Sequence, residues 1–219
     1  MGKQIDLLEN YPKPKRDLNK RLHEKTDSDR LIARKFGKEF FDGSRSQGYG
    51  GYYYNPRFWS PVVPDLKNYW KLTSNHSLLD VGCGKGFMIY DIQRLIPGIK
   101  VRGIDISEYA IENSIENIKN DVSVANAKEL PFDDKSYDIV ISINTVHNLE
   151  IDECAAALQE IERVKRVGSF ITVDAYRNED EKKRMMAWNL TAKTIMPVED
   201  WIEFCKKVGY KGDYFWFIP

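Results

Sequence analysis

The clearest chemical pattern in the chain is an aspartate followed by three alternating glycines, in the stretch LLDVGCGKGF. Asp80 is followed by Gly82, Gly84 and Gly86. Glycines in a tight turn permit positive φ angles and let backbone N–H groups approach a ligand without an intervening Cβ. An apolar run precedes them and a helical pattern follows them. The spacing therefore predicts a ligand-binding turn between a strand and a helix.

A second acid, Asp105, closes the next apolar run, VRGIDIS. It follows the glycines by about 20 residues, the separation at which a carboxylate accepts hydrogen bonds from both hydroxyls of a ribose. Ser107 is the better N-cap for the next helix, so capping does not account for Asp105. Together the two features predict an adenosine-type ligand. Because nicotinamide and flavin proteins use a related turn, the glycines alone do not choose the cofactor.

A third motif, ANAKELPFDDKSYDIVISINTVHNL, follows the second acid. With LDVGCGKG and GIDIS it closely resembles the class I S-adenosylmethionine-dependent methyltransferases, in which LPF, an acidic turn and a (F/Y)D pair precede a hydrophobic strand. The resemblance covers roughly residues 77 to 210 and rests on three motifs in the expected order. An NAD-dependent dehydrogenase shares the glycines and the acid but lacks the third motif. The resemblance implies S-adenosyl-L-methionine as the cofactor and methyl transfer as the reaction.

The resemblance also implies which residues hold the cofactor. The glycine turn would lie under its methionine part, with Asp80 orienting it, and Asp105 would bind the ribose. The family usually has an aspartate in place of Asn126, and the amide oxygen of Asn126 can accept from the adenine amino group in the same way. The expected cofactor contacts are Asp80, Gly82, Gly84, Gly86, Asp105, Ile106, Asn126, Ala127, Ser142 and Asn144.

Residues just past the fourth and fifth predicted strands are candidates for the acceptor side, because α/β enzymes keep their sites at the carboxyl edge of the sheet. His147 could take a proton from an acceptor hydroxyl or amine, since an unperturbed histidine has a pKa of about 6.5. It could equally pack or cap the next helix. Asp174, Tyr176 and Arg177 can face the acceptor. Arg177 could bind a carboxylate or phosphate, or pair internally with the acids at 179–181.

The N-terminal part of the chain predicts a cover for the site. Residues 1–60 are expected to form an extension with an active-site lid, and residues 61–219 the methyltransferase domain. The extension should begin loosely and become one or two helices. Its stretch DGSRSQGYGGYYYNPRFW concentrates glycine and tyrosine without helical or strand periodicity. Tyr52 and Tyr53 are the expected substrate contacts of this lid, and ordinary packing is the alternative for at least two of its four tyrosines.

From residue 61 onwards, apolar runs of strand length alternate with amphipathic helical stretches. This alternation predicts an α/β fold with a single, doubly wound, mostly parallel sheet, Rossmann-like and covered by helices on both faces. Strands are predicted at 77–81, 101–106, 122–125, 137–143, 169–174 and 214–218. Helices are predicted at 61–72, 87–95, 108–117, 153–164, 181–191 and 199–208.

The end of the chain departs from the resembled family. That family has a seventh strand in an antiparallel hairpin with the sixth, whereas this chain stops at DYFWFIP. The seventh strand is therefore expected to be absent or supplied by another segment. An unpaired terminal strand could recruit a second copy of the chain, which would give a homodimer.

Bulk composition narrows the partners. Lys plus Arg (33) equals Asp plus Glu (33), so no global positive field exists to hold nucleic acid. The apolar runs fall short of the roughly 20 residues of a membrane span, and the start has no apolar core of signal-peptide type, so we expect no membrane association and a cytoplasmic protein. The three cysteines lack CxxC spacing and predict no metal site.

These patterns predict a methyltransferase that acts on an oxygen or nitrogen atom of a small polar metabolite or sugar derivative. Two alternatives stay open. Methylation of RNA or protein would need a local basic face, for which residues 13–38 are the candidate, although acids interleave there. A binding partner that keeps the fold without turnover is the other. The acceptor itself is not identified by the sequence.

Overall fold

The computed structural model describes residues 1–13 and 25–219. Their strands form one seven-stranded sheet of order β3-β2-β1-β4-β5-β6, in which the last strand, β7, also pairs with β5. All pairs between these strands are parallel. The strands are β1 (Ser77–Val81), β2 (Lys100–Asp105), β3 (Val122–Val124), β4 (Tyr137–Ile143), β5 (Lys165–Tyr176), β6 (Met196–Pro197) and β7 (Asp213–Phe217). The predicted parallel α/β fold is confirmed.

Helices connect the strands and precede the sheet. Two short 3₁₀ turns, Glu116–Asp121 and Val146–Asn148, lie before β3 and after β4. The helices of the described residues are α1 (Asp27–Ala33), α2 (Lys38–Asp42), α3 (Pro56–Trp59), α4 (Val63–Trp70), α5 (Phe87–Leu95), α6 (Glu108–Glu112), α7 (Ile151–Val164), α8 (Glu179–Trp188) and α9 (Val198–Val208).

The core lies on both faces of the sheet because successive strand residues point to opposite sides. In β1, Leu78 belongs to one apolar cluster and Leu79 to the other. The cluster with Leu78 also contains residues of α4 and α5, and the cluster with Leu79 contains residues of α7 and α9. Two-sided burial leaves the strand ends as the place where polar side chains can meet a ligand.

The far edge of the sheet differs from the expectation for the chain terminus. A seventh strand is present, because Met196–Pro197 forms the two-residue β6 before α9. β7 then runs parallel to β5, so the antiparallel hairpin typical of the family is not formed by the described strands. The other side of β7 meets the chain's own N-terminus, where the N–H of Ile5 donates to the carbonyl of Tyr214 at 2.9 Å and the N–H of Tyr214 donates to that of Lys3 at 3.0 Å. The terminal strand is thus paired, and the reason for expecting a homodimer falls away.

The first residues also pack into the body of the protein. Leu7 is buried, and Met1, Ile5 and Leu8 lie against the two core clusters. The expected loose beginning is therefore wrong for residues 1–13, and residues 14–24 lie outside the described part. None of the helices within 1–13 and 25–219 is long and apolar enough to cross a membrane.

Candidate functional site

A cavity of about 1280 Å³ lies at the carboxyl ends of β1 to β5. Four further segments contribute to its wall: residues 4–13, the N-terminal wall (defined here as residues 34–59), the stretch 188–193 and residues 215–219. The predicted site residues that line it are Asp80, Gly82, Gly84, Asp105, Ile106, Asn126, Ala127, Asn144, His147, Tyr52 and Arg177. Gly86, Ser142, Tyr53 and Tyr176 do not.

The three glycines of the turn have different tasks. All have positive φ angles: +89° at Gly82, +56° at Gly84 and +74° at Gly86. A Cβ on Gly82 would lie 2.0 Å from Oγ1 of Thr145, and one on Gly86 would lie 2.2 Å from Cδ1 of Ile118. A Cβ on Gly84 would meet nothing nearer than a ring carbon of Tyr52 at 3.4 Å. The outer two glycines therefore allow close packing within the protein, and Gly84 faces the cavity.

Two buried carboxylates border this turn. Asp105 accepts the N–H of Gly84 at 2.7 Å and the N–H of Ser107 at 2.9 Å. Burial raises the pKa of Asp105, although these backbone donors oppose the shift. No donor from the described residues reaches the carboxylate of Asp80, which is 4% exposed. Burial, reinforced by the charge of Asp105, raises the pKa of Asp80 to about 8.

The ends of β2 and β3 form an apolar and amide-lined part of the cavity. Ile106 is half exposed there, and Ala127 is nearly buried. The side-chain oxygen of Asn126 accepts the N–H of Lys128 at 3.1 Å. An amide oxygen has two lone pairs, so Asn126 keeps a free acceptor position.

The end of β4 holds one predicted contact in the cavity and one outside it. Ser142 is fully buried and donates its hydroxyl to the carbonyl of Val81 at 3.0 Å, which ties β4 to β1. Its side chain thus faces the sheet, and the expected cofactor contact is not supported. Asn144, at a φ of +52°, receives the hydroxyl of Thr172 on its side-chain oxygen at 2.8 Å and stays on the cavity wall.

His147 is almost completely buried beside Asp174. Its Nδ1 accepts the backbone N–H of Asp174 at 2.8 Å. Burial lowers the pKa of His147. A neutral ring whose Nδ1 accepts a hydrogen bond carries its proton on Nε2, so the ring can donate but has no free basic nitrogen. This geometry speaks against a general-base role for His147 and fits the alternative of a packed, positioning side chain.

Beyond β5, Arg177 forms the internal ion pair that was expected as the alternative to binding an acceptor. The guanidinium of Arg177 binds the carboxylate of Glu181 through Nε and a terminal nitrogen, at 3.0 and 2.5 Å. Hydrogen bonds from Arg177 lower the pKa of Glu181. Tyr176 lies outside the cavity, with the ammonium of Lys182 at 5.6 Å from its ring centre. Tyr176 thus lies outside the site, whereas Arg177 lines the cavity with its guanidinium bound to Glu181.

The N-terminal wall places one of its two candidate tyrosines in the site. The ring of Tyr52 stacks on Phe87, the first residue of α5, with 4.7 Å between ring centres. Burial raises the pKa of Tyr52 well above its usual value, and the charges of Asp80 and Asp105 add to that rise. Tyr53 is 74% exposed and does not line the cavity. Tyr52 therefore covers the glycine turn, whereas the expected contact from Tyr53 is not supported.

Sequence reasoning missed an ion pair that joins this wall to the turn. The ammonium of Lys85, inside the glycine motif, lies 2.6 Å from a carboxylate oxygen of Asp42 and 3.0 Å from the carbonyl of Tyr52. The hydroxyl of Tyr109 donates to the same oxygen of Asp42 at 2.6 Å. Although burial opposes the shift, the bonds from Lys85 and Tyr109 lower the pKa of Asp42. Asp42 and Lys85 lie 43 positions apart, so no local pattern could reveal them.

Comparison with known proteins gives the family. A family model described as a methyltransferase domain matches residues 72–210. A tRNA (carboxymethyluridine(34)-5-O)-methyltransferase of Arabidopsis thaliana is 30% identical over 147 residues, which are 66% of this chain and 34% of that protein. The arginine-hydroxylase NDUFAF5 of Rattus norvegicus is 34% identical over 95 residues, 42% of this chain and 27% of that protein. The chain thus spans about a third of the length of these relatives.

Solved structures share the fold. A phosphoethanolamine N-methyltransferase of Haemonchus contortus aligns with a TM-score of 0.58 at 19% identity, covering 81% of this chain and 44% of that one. A putative methyltransferase in complex with the Haloferax volcanii Trm112 activator aligns with a TM-score of 0.52 at 22% identity, covering 63% and 62%. With the matched family model and the three motifs, this fold places the chain among the class I S-adenosylmethionine-dependent methyltransferases.

Proposed function

We propose that the chain binds S-adenosylmethionine at the carboxyl ends of β1 to β3 and transfers its methyl group to an oxygen or nitrogen atom of a small polar acceptor. Residues 1–60 would close the acceptor side. The observation that carries this proposal is the single cavity shared by the glycine turn, the two buried acids and the N-terminal wall.

The cavity wall suits this cofactor. Asp80 is a buried carboxylate without a donor among the described residues, which is costly unless a ligand supplies one. The ammonium of the cofactor's methionine part would do so. Asp105 would accept from the ribose hydroxyls, and Gly84 leaves the space that a Cβ would take. When bound, the cofactor supplies a methyl group already activated by its sulfonium.

The protein's remaining tasks are orientation and exclusion of water. Holding a nucleophile in line with the methyl group accounts for most of the rate enhancement that such a site can give. The aromatic rings of Phe41, Tyr49 and Tyr52 lie against one another beside the glycine turn. Rings in this position would keep water from the sulfonium and hold the acceptor close to it.

The size of the cavity supports a small acceptor. Pockets for one small ligand measure about 300–1,000 Å³, so a cavity of about 1280 Å³ has room for the cofactor and a second small molecule. Part of its wall is the chain's own N-terminal segment, and the total charge is balanced. The tRNA methyltransferase matched above keeps the RNA alternative as an outcome of the test.

Calorimetry and an S-adenosylhomocysteine-release assay test this proposal. S-adenosylmethionine and S-adenosylhomocysteine should bind, and NAD should not. The Asp105→Ala variant should weaken cofactor binding by about 1–3 kcal/mol, because the ribose hydroxyls lose their charged acceptor. Turnover is then compared among small polar metabolites and sugar derivatives, total tRNA and protein extract.

The outcomes of these experiments distinguish the proposed function from its alternatives. Tighter binding of NAD, or unchanged affinity in Asp105→Ala, would refute the cofactor site. Turnover of tRNA or protein alone would select the macromolecular alternative. Cofactor binding with no turnover of any acceptor would favour a non-catalytic partner.

A further inference from the structure

Asp174, near the end of β5, has both of its backbone polar groups hydrogen-bonded to side chains of other elements. Its backbone N–H donates to Nδ1 of His147 at 2.8 Å, and its carbonyl accepts the indole N–H of Trp201 at 3.0 Å. Both partner side chains are buried. Two side chains from other elements thus fix the position of one residue at the cavity wall.

The carboxylate of Asp174 is nearly buried, with 8% of its side chain exposed, and it faces the cavity. Its oxygen lies 3.9 Å from Nδ1 of His147, and that nitrogen carries no proton to give. Burial raises the pKa of Asp174, although the charges of His147 and Lys25 oppose the shift. The ammonium of Lys25 itself donates to the carbonyl of Trp188 at 2.6 Å. No hydrogen bond from a described residue reaches either carboxylate oxygen, so both oxygens can accept a donor from a ligand in the cavity.

Aromatic residues neighbour Asp174 on the cavity wall. Phe217 on β7 is the register partner of Asp174, and the ring of Trp188 lies 5.2 Å from that of Phe217. Both aromatic residues line the cavity. A buried carboxylate that shares its cavity with aromatic rings matches a positively charged group, because acids and ring faces both attract cations.

We propose that Asp174 is the acceptor-binding carboxylate, that it holds an ammonium group of the acceptor and that it takes the proton which must leave before the nitrogen is methylated. This inference rests on the proposed function and narrows its acceptor to an amine. His147 and Trp201 act through Asp174 as positioning residues.

The step balances with these groups alone. An N–H bond of the ammonium breaks, and its proton passes to an oxygen of Asp174, which becomes a neutral carboxylic acid. The freed lone pair of nitrogen forms the N–CH₃ bond while the C–S bond breaks and its electron pair stays on sulfur. The product is a methylated ammonium beside a neutral thioether. The proton on Asp174 returns to solvent after the product leaves.

The test uses the full-length protein saturated with S-adenosylhomocysteine and matched pairs of probes. Ethanolamine is compared with ethylene glycol, and glucosamine with glucose, by calorimetry at millimolar concentrations. Wild type should bind the amines and not the matched alcohols. Asp174→Asn should weaken amine binding by about tenfold to a hundredfold, since the substitution removes the charge but keeps the shape. Asp180→Asn, which changes an exposed acid on α8, is the control and should bind as wild type does.

The affinity for S-adenosylhomocysteine is measured in every variant. It should stay within about threefold of wild type in Asp174→Asn, which shows that the variant is folded. Equal binding of amines and alcohols, no binding of either amine, or unchanged amine binding in Asp174→Asn overturns the role of Asp174. Failure of wild type to bind S-adenosylhomocysteine would instead refute the proposed function itself.

Discussion

The two halves of the cavity are built in different ways. On the half proposed to hold the cofactor, short stretches at the ends of β1 and β2 form the wall: glycines with positive φ angles, and an aspartate that accepts backbone N–H groups. The half proposed to hold the acceptor is called the acceptor half. On the acceptor half, side chains pair across long distances in sequence. Arg34 donates to the carbonyl of Thr191, 157 positions away. The cofactor half is therefore encoded by local motifs, whereas the acceptor half depends on tertiary packing and can vary without loss of the cofactor site.

Breaking the ion pair between Lys85 and Asp42, which joins the N-terminal wall to the glycine turn, should cause the largest loss of stability. The side chain of Asp42 is only 14% exposed, and Lys85→Met leaves its carboxylate without a cation. Removing one partner of a buried pair costs about 3–5 kcal/mol. We expect this loss in urea unfolding, together with faster hydrogen exchange of residues 45–56.

An exposed ion pair provides the control, because breaking it also removes a lysine but leaves no buried charge unpaired. Lys119→Met breaks the surface pair with Glu116 and should cost no more than about 1 kcal/mol. Adding Asp42→Asn to Lys85→Met should recover part of the lost stability. If the two lysine variants unfold alike, the N-terminal wall is not held to the glycine turn by this pair.

Alanine substitutions in the glycine turn should distinguish a glycine needed for packing from one that contacts the ligand. Gly82→Ala adds a methyl group 2.0 Å from a side-chain atom of Thr145 at a φ of +89°, so strain and overpacking together should cost about 2–5 kcal/mol. Gly84→Ala has more room and should cost the protein only the backbone strain of about 1–2 kcal/mol. Gly84→Ala should nevertheless weaken cofactor binding. Denaturant unfolding and calorimetry measure both quantities. Equal loss of stability in the two variants would contradict the division of tasks.

The sequence predicted most of the fold because apolar runs mark buried strands. The bounds of β1, β4 and α5 agree with the prediction. β5 begins four residues earlier than predicted, at Lys165, because its polar first residues pair with the start of β4. α6 ends at Glu112, residues 113–115 are not helical, and a 3₁₀ turn begins at Glu116 near the end of the stretch predicted as helix.

The candidate site was predictable only where its residues are close in sequence. Gly82, Gly84 and Asp105 line the cavity, whereas Gly86 does not. The sequence did not show how each side chain packs: Ser142 donates to β1, and Tyr53 is exposed and outside the cavity that Tyr52 lines. Such orientations follow from packing partners far away in the chain, which a single sequence does not reveal.

His147 offers a test of positioning against proton transfer. His147→Leu leaves the buried N–H of Asp174 unpaired, which should cost about 1–3 kcal/mol of stability. His147→Asn supplies a side-chain oxygen that can accept the same N–H and should restore most of that loss and most of the amine binding. A general base would not be replaced by an amide. Full loss of turnover in His147→Asn, with stability restored, would therefore return the catalytic role to the histidine.

Substitution of Asp80 should change stability with a sign opposite to that of the other variants. The pKa of Asp80 in the folded protein, about 8, lies above its ordinary value of 3.8. Its contribution to stability is therefore complete below pH 3.8 and is lost as the pH rises through 8. Asp80→Asn cannot ionise, so the variant without cofactor should be more stable than wild type at pH 8, and the difference should shrink towards zero near pH 4. Thermal unfolding across this range measures it.

The same carboxylate should couple cofactor binding to proton release. The cationic ammonium of the cofactor favours ionised Asp80, so at pH 7 binding should release up to about one proton from a group that is mostly protonated in the empty site. Calorimetry in two buffers of different ionisation enthalpy counts that proton, and affinity should rise between pH 6 and 8 by at most about tenfold per unit. Asp80→Asn should bind more weakly and release none from this position. Because Asp105 keeps its backbone donors, it should not replace Asp80. If Asp80→Asn releases the same proton as wild type, the group that binds the ammonium of the cofactor lies in the acceptor half instead.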